Sequence, residues 1–281
     1  MHIESPATHF ERADVVAEYG SFDFLLAPEE DLLREHASEL PRWRMLDVGV
    51  GAGRTSAHLM ERVREYVGID CSAAMVQRCH ERFAGRMPVT ASFRQADVRT
   101  LVDFDEGSFD FVLFSFNGLD TVGDGSERAQ ALRAIARVCA PGALLCFYAH
   151  NLIWFRRSIS PLRAAAGALP AARRHPRAPL RAAREALHRR RLNAPGGGRG
   201  EERVIIEERP RYELARTFYQ APDERILISR YTTTPKRQEE RLVAAGFRDL
   251  RILDLRGNAV AAADERSQWL HYVCRRAGDD R

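Results

Sequence analysis

Lysine occurs once in the 281 residues, at Lys236, so arginine carries nearly all the positive charge. Long apolar runs are missing as well. The longest, Ala143 to Phe155, is interrupted by His150 and Asn151 and falls short of the roughly 18 to 20 residues that cross a bilayer, so no membrane-spanning helix is expected. Residues 1–10 hold Glu4 and two histidines but no apolar stretch of the kind a secretory leader needs, which points to the cytoplasm. Five cysteines (Cys71, Cys79, Cys139, Cys146, Cys274) contain no C-x-x-C pair and are odd in number, which argues against a disulfide framework and a zinc knuckle. They read as reduced thiols, and no metal is expected. No internal repeat is found.

What is present is a 45% hydrophobic composition, enough for one large α/β domain with an elaboration. The charge is segregated. Between Arg156 and Gly200 lie twelve arginines and a single acid, Glu185, so a net charge of +4 conceals a strongly basic segment in an otherwise acidic chain.

Residues 11–40 carry helical spacing up to Pro41. From there apolar runs alternate with helical patterns. Met45-Leu46-Asp47-Val48 predicts a strand, 55–64 a helix, Tyr66-Val67-Gly68-Ile69 a strand and 73–83 a helix. Strands at 93–96 and 109–115, a helix at 126–138 and a strand at 143–149 continue the series, with Pro141-Gly142 as a turn. The rhythm then breaks into the arginine-rich stretch, which ends in the linker-like Ala194-Pro195-Gly196-Gly197-Gly198. Runs at 212–219 and 225–232 predict a hairpin. Thr234 and Pro235 predict the cap and first residue of a helix ending at Gly246, followed by strands at 248–255 and 270–275.

The first strand opens into Gly49-Val50-Gly51-Ala52-Gly53-Arg54, a turn through which backbone can approach a nucleotide closely. It does not fit the dinucleotide pattern G-x-G-x-x-G/A, because the third small position falls on Arg54 or Ser56. Asp70 closes the second strand about 20 residues on, where a carboxylate accepts from ribose hydroxyls, a requirement shared by NAD and S-adenosylmethionine.

Asp47-Val48-Gly49-Val50-Gly51-Ala52-Gly53 resembles the D/E-x-G-x-G-x-G motif of class I S-adenosylmethionine-dependent methyltransferases. Four further segments follow in that family's order: Gly68 to Met75, Gln95 to Val98, Phe109 to Leu113 and Ala140 to Ala143. The resemblance is close over about 42–150, looser over the last helix and two strands, and absent over 154–200. It implies that S-adenosylmethionine is bound by Asp47, Gly49, Gly51, Gly53, Asp70, Cys71, Met75, Asp97, Val98 and Phe114. Asp70 would hold the ribose, Met75 pack on the adenine and Asp97 bond its amino group. Taken singly, each has an ordinary use: the aspartates cap helices or end loops, and Met75 fills core.

In an open parallel sheet the ligand lies outside the carboxyl ends of the strands, so the segments after strands four and five should face the acceptor. They hold Asn117, Asp120 and His150. Methyl transfer needs alignment and exclusion of water more than a base. For a hydroxyl acceptor His150 is the best-placed base, and for an amine Asp120 or Asn117 would orient the nitrogen. Tyr148, Tyr219 and Tyr231 are further candidates for an aromatic acceptor pocket, and Tyr19 and Phe22 for a cover over the cofactor.

The arginine-rich segment has three readings: a lid attracting an acidic acceptor, a nucleic-acid surface, or a basic amphipathic helix on a membrane surface. The lid is preferred. Missing aromatics weigh against nucleic acid, and Pro170, Pro176 and Pro179 against a continuous helix.

The expected fold is a seven-stranded, mostly parallel Rossmann-like sheet with helices on both faces and its last strand antiparallel. It divides into a helical cap (1–41), a cofactor-binding core (42–153), an insertion with a hairpin (154–233) and the completion of the sheet (234–281). The expected activity is methyl transfer to an oxygen or nitrogen of a small molecule. An RNA or protein acceptor, or a non-catalytic cofactor-binding module, stands as the alternative. No stable membrane insertion is expected.

Overall fold

The computed structural model describes residues 2–158, 160–169, 172, 175–192, 203–209, 214–220 and 226–278. Along the chain the strands are β1 (His2–Glu4), β2 (Arg44–Val48), β3 (Glu65–Asp70), β4 (Ala91–Gln95), β5 (Phe109–Phe114), β6 (Cys139–His150), β7 (Arg203–Arg209), β8 (Leu214–Gln220), β9 (Ile226–Thr233), β10 (Phe247–Leu253) and β11 (Trp269–Arg276). The helices are α1 (Pro6–His9), α2 (Ala13–Gly20), α3 (Ala27–Glu35), α4 (Ser56–Leu59), α5 (Ala73–Arg82), α6 (Gly118–Thr121), α7 (Gly125–Val138), α8 (Leu152–Ser158), α9 (Pro161–Ala168), α10 (Ala178–Leu192) and α11 (Pro235–Ala244).

The main sheet runs β10-β11-β6-β5-β2-β3-β4. Strands β2 to β6 pair in parallel, and β11 is antiparallel to both β6 and β10. That is the expected seven-stranded sheet. Its central strands are apolar because helices cover both faces. One face packs against Leu132, Ile135 and Val138 of α7 and Leu242 of α11. The other packs against Leu32 and Leu33 of α3, Leu59 of α4 and Val76 and Cys79 of α5. The two-residue period of β6 is visible in its partners. Phe147 stacks on Tyr272 at 4.9 Å, and the next residue, Tyr148, stacks on His271 at 4.4 Å.

Several elements differ from expectation. The stretch 11–40 splits into α2 and α3, because Gly20 and Ser21 end one helix and Pro28 starts the next, with Glu29 accepting from the N–H of Leu26 at 2.8 Å. Helix α4 has four residues. The N–H groups of Arg64 and Glu65 turn to the carbonyl of Trp43 and commit the chain to β3. The predicted hairpin is β8 and β9, but it belongs to a second, four-stranded sheet, β1-β9-β8-β7, in which the first residues of the chain pair in parallel with β9.

Candidate functional site

A cavity of about 640 Å³ opens at the carboxyl ends of β2, β3 and β5. Beneath it the chain leaves β2 through Gly49, Gly51 and Gly53, with φ of +63°, +55° and +83°. A side chain is strained at such angles. At Gly51 the constraint is double. The positive φ restricts the residue there, and its N–H donates to Asp70 Oδ2 at 2.9 Å.

Asp70 ends β3, and its Oδ1 accepts from the N–H of Ser72 at 2.9 Å. A carboxylate has about four lone-pair sites, so beyond the N–H groups of Ser72 and Gly51 and the Cys71 thiol Asp70 keeps acceptor capacity for a ligand hydroxyl. Burial raises the Asp70 pKa, and the N–H groups of Ser72 and Gly51 oppose the rise. Ser72 caps α5 by accepting from Met75 N–H at 3.1 Å and reaches back to the carbonyl of Phe10 at 3.0 Å, which sets Met75 in the wall. Asp97 is held below the usual carboxylate range by Arg99, whose Nη2 lies 2.6 Å from Oδ2. Gly49, Cys71, Val98 and Phe114 complete the part of the expected cofactor set that lines the cavity.

Asp47 and Gly53 do not line it. Asp47 lies under the turn, where Oδ2 accepts from Thr55 Oγ1 at 2.5 Å and Tyr66 Oη at 2.7 Å. Gly53 faces Phe83, whose ring would sit 2.6 Å from a Cβ. Their place is in shaping the turn. Burial pushes the Asp47 carboxyl up to about 6 against the donation from Thr55 and Tyr66. With the folded pKa above the unfolded value, the folded state holds the extra proton, so stability is lost as pH rises from about 4 to about 6. Relative to Asp47→Asn, the wild type should therefore gain about 2 kcal/mol when urea unfolding is moved from pH 7.5 to pH 4.5. A constant difference between the two proteins across that range would refute the burial of this charge.

On the acceptor side the three expected residues separate. Asn117 lines the cavity in a left-handed conformation (φ +59°), as does Phe116 before it (φ +54°), and Asn117 Oδ1 is buried without a partner among the described residues. Asp120 and His150 stand behind the wall, fully or nearly fully buried. The backbone N–H of His150 and its Nδ1 reach Asp120 Oδ2 at 2.7 and 2.8 Å, and Arg128 Nη1 reaches Oδ1 at 3.1 Å. Burial lowers the His150 pKa, while the donors around Asp120 outweigh its own burial and keep it ionised. The ring is therefore neutral with its proton on Nδ1, and Nε2 is the basic nitrogen.

Tyr231 lines the cavity from β9 beside Arg230. Tyr148 does not, because the alternation of β6 turns it towards His271. The side chain of Tyr219 lies outside the described residues. Tyr19 lines the cavity, and Phe22 stands behind it at 5.4 Å.

The sequence reading missed the clamp that holds this wall. Arg54 donates to both carboxylate oxygens of Glu29 at 2.9 and 2.8 Å, to Ser115 Oγ at 2.6 Å and to the carbonyl of Phe24 at 2.7 Å. Ser115 also donates to Glu29. The guanidinium sits against the rings of Phe24 (5.3 Å) and Phe116 (4.9 Å), and Phe116 meets Trp269 edge to face. The available signal was Arg54 itself, a large charged residue where a dinucleotide turn needs a small one.

Residues 45–142 match a family model described as a methyltransferase domain. The chain is 29% identical over 126 residues to the putative methyltransferase YqeM of Bacillus subtilis, covering 44% of this chain and 50% of that one. It is 36% identical over 110 residues to a ubiquinone biosynthesis O-methyltransferase of Alkalilimnicola ehrlichii, covering 38% and 42%. The chain thus spans about half the length of the curated relatives it matches. Among solved structures it superposes on the CcbJ methyltransferase of Streptomyces caelestis with a TM-score of 0.63 at 15% identity, covering 98% of this chain and 100% of that one. An S-adenosylmethionine-dependent methyltransferase of Clostridium acetobutylicum gives 0.58 at 11%, covering 91% and 94%. These structures share its fold.

Proposed function

The chain carries a class I S-adenosylmethionine-dependent methyltransferase domain, and from that premise we propose that it methylates an oxygen or nitrogen of a small-molecule acceptor. The observation that carries the reading is one cavity that joins the Gly51–Asp70 end to the wall of Asn117, Tyr231 and Trp269. Its volume lies within the roughly 300–1,000 Å³ of small-ligand sites. The fit to the cofactor rests on the open glycine turn and on the remaining acceptor capacity of Asp70. When bound, S-adenosylmethionine supplies a methyl group on a positively charged sulfur that departs as a neutral thioether.

The chain's own task is then to bind, align and exclude water. Asp70 and the turn, with Tyr19 beside Gly51, hold one end, and the rings of Phe116 and Trp269 keep the other dry. Asn117 meets the acceptor through its side-chain amide, whose Oδ1 is without a partner among the described residues. The names of the ubiquinone biosynthesis O-methyltransferases among the relatives support an oxygen of a small molecule. The Asp120–His150 pair is assigned to holding the end of β6 against α6. A second reading, in which Nε2 takes the proton of a hydroxyl acceptor, is favoured by the tautomer. The pH profile of kcat/KM separates the two. With His150→Gln, loss of an acid limb indicates a base, and uniform scaling of the profile indicates positioning.

The test is formation of S-adenosylhomocysteine across a panel of phenols, other hydroxyl compounds and amines. Asp70→Ala should weaken cofactor binding at least tenfold, about 1.4 kcal/mol. Asn117→Ala should raise the acceptor KM and leave the cofactor Kd within twofold. Turnover confined to RNA or protein substrates would replace this reading.

A further inference from the structure

We infer that the basic helical hairpin formed by α9 and α10 is a docking surface for anionic lipid headgroups. The stretch is not one continuous helix, as its prolines lead one to expect, but each of its two helices is whole. Pro161 opens α9, Pro179 is the second residue of α10, and Pro176 lies in the turn before it. Both helices therefore keep a proline where the missing N–H costs nothing. Pro170 lies outside the described residues.

The outward faces are unusual. Leu162 is 85% exposed, Leu169 60%, Leu180 55% and Leu187 40%, four of the exposed large apolar side chains in one stretch of about two dozen residues. Leu162 and Leu169 are seven apart with the exposed Ala166 between them, which makes one apolar stripe on α9 and its end. On α10, Leu180 and Leu187 alternate with the exposed Arg181 and Arg184. Arg181 pairs with Glu185, the only acid of the segment, so the arginine excess there is otherwise unmatched by local acids.

Charge and apolar area together select the occupant. Arginine attracts phosphate, but exposed leucines add nothing to a phosphate backbone, and neither helix holds a phenylalanine, tyrosine or tryptophan on which a base would stack. A second copy would set arginine against arginine. An anionic bilayer surface satisfies both features, because leucine enters the acyl boundary while guanidinium pairs with headgroup phosphate. No helix among the described residues is long and apolar enough to span the membrane, so attachment is to the surface. The hairpin leaves the main sheet through α8 at the carboxyl end of β6, the end at which the cavity opens.

The test is co-sedimentation of the full chain with vesicles of phosphatidylcholine alone and of phosphatidylcholine with 30% (about one third) phosphatidylglycerol, at low and at high salt. Partitioning into the anionic vesicles should exceed that into neutral ones at least tenfold and fall on raising the salt. L162E combined with L180E, and separately R181E combined with R184E, should each reduce it at least tenfold. Cofactor affinity should stay within twofold in both variants, which shows that they fold. Equal binding to the two vesicles, no binding, or loss of binding in neither variant would overturn the inference. So would tighter binding to single-stranded RNA than to anionic vesicles.

Discussion

Glu29→Ala is expected to lower the free energy of unfolding by about 3–5 kcal/mol, the cost of leaving one member of a buried ion pair without its partner. Glu29 and Arg54 are nearly inaccessible to water, and among the described residues Arg54 has no other carboxylate at hydrogen-bonding distance. Two neutral acceptors, Ser115 Oγ and the Phe24 carbonyl, would remain. The substitution also frees the N–H of Leu26 at the start of α3, where Glu29 closes the first turn. Loss on this scale is a large share of the roughly 5–15 kcal/mol that keeps a domain folded. Urea unfolding at pH 7.5 measures it. A change below about 1 kcal/mol would place this pair among weak surface bridges and contradict the packing described. Because the same clamp holds Phe116 in the cavity wall, the surviving folded protein should also bind cofactor more weakly.

Arg128→Met is expected to have a comparable effect, again about 3–5 kcal/mol, for a related reason. The Arg128 side chain is wholly buried and joins three elements. Its Nη1 reaches the carbonyls of Leu119 (2.9 Å) and Tyr231 (2.7 Å) as well as Asp120, and Nη2 reaches Gln238 Oε1 at 3.2 Å. Methionine keeps the bulk and removes the donors, so α6, β9 and the start of α11 lose their common tie. Tyr231 lines the acceptor side, which makes a second result follow: the acceptor KM should rise by more than the cofactor Kd. Thermal unfolding and the two constants together check this. Equal loss of both constants would show that Arg128 supports the fold without bearing on the acceptor wall.

What could be read in advance follows the range of the interactions. The glycine turn and Asp70 are legible because each sits at a fixed offset from a strand end, where local pattern and ligand geometry coincide, whereas Met75 and Asp97 are implied by the family resemblance. Eight of the ten expected cofactor residues line one cavity. Asp47 sits at an equally regular offset, yet Thr55 and Tyr66 draw its carboxylate under the turn. Sequence spacing places a backbone position and leaves the direction of the side chain to its neighbours.

The second sheet was beyond such a reading. Its edge strand β1 pairs with β9 more than two hundred residues away, and neither its length nor its alternation marks it. Pairing across that distance is settled by tertiary contacts. The Glu29–Arg54 contact is hidden for the same reason, since one partner begins a helix and the other follows a turn. Pro176 and Pro179 behave as the local rule expects, since the basic stretch is two helices and not one, with Pro176 in the turn before α10 and Pro179 in its first turn. Proline breaks a helix from within and opens one from its first turn.

The measurement that bears most directly on the central claim is calorimetric titration of the purified protein with S-adenosylmethionine, S-adenosylhomocysteine and NAD. The account predicts saturable binding of the first two at one site and none of NAD, because Arg54 occupies the position where a dinucleotide turn needs a small residue. Binding of NAD alone would contradict it and make the Gly51–Asp70 cradle a dinucleotide site.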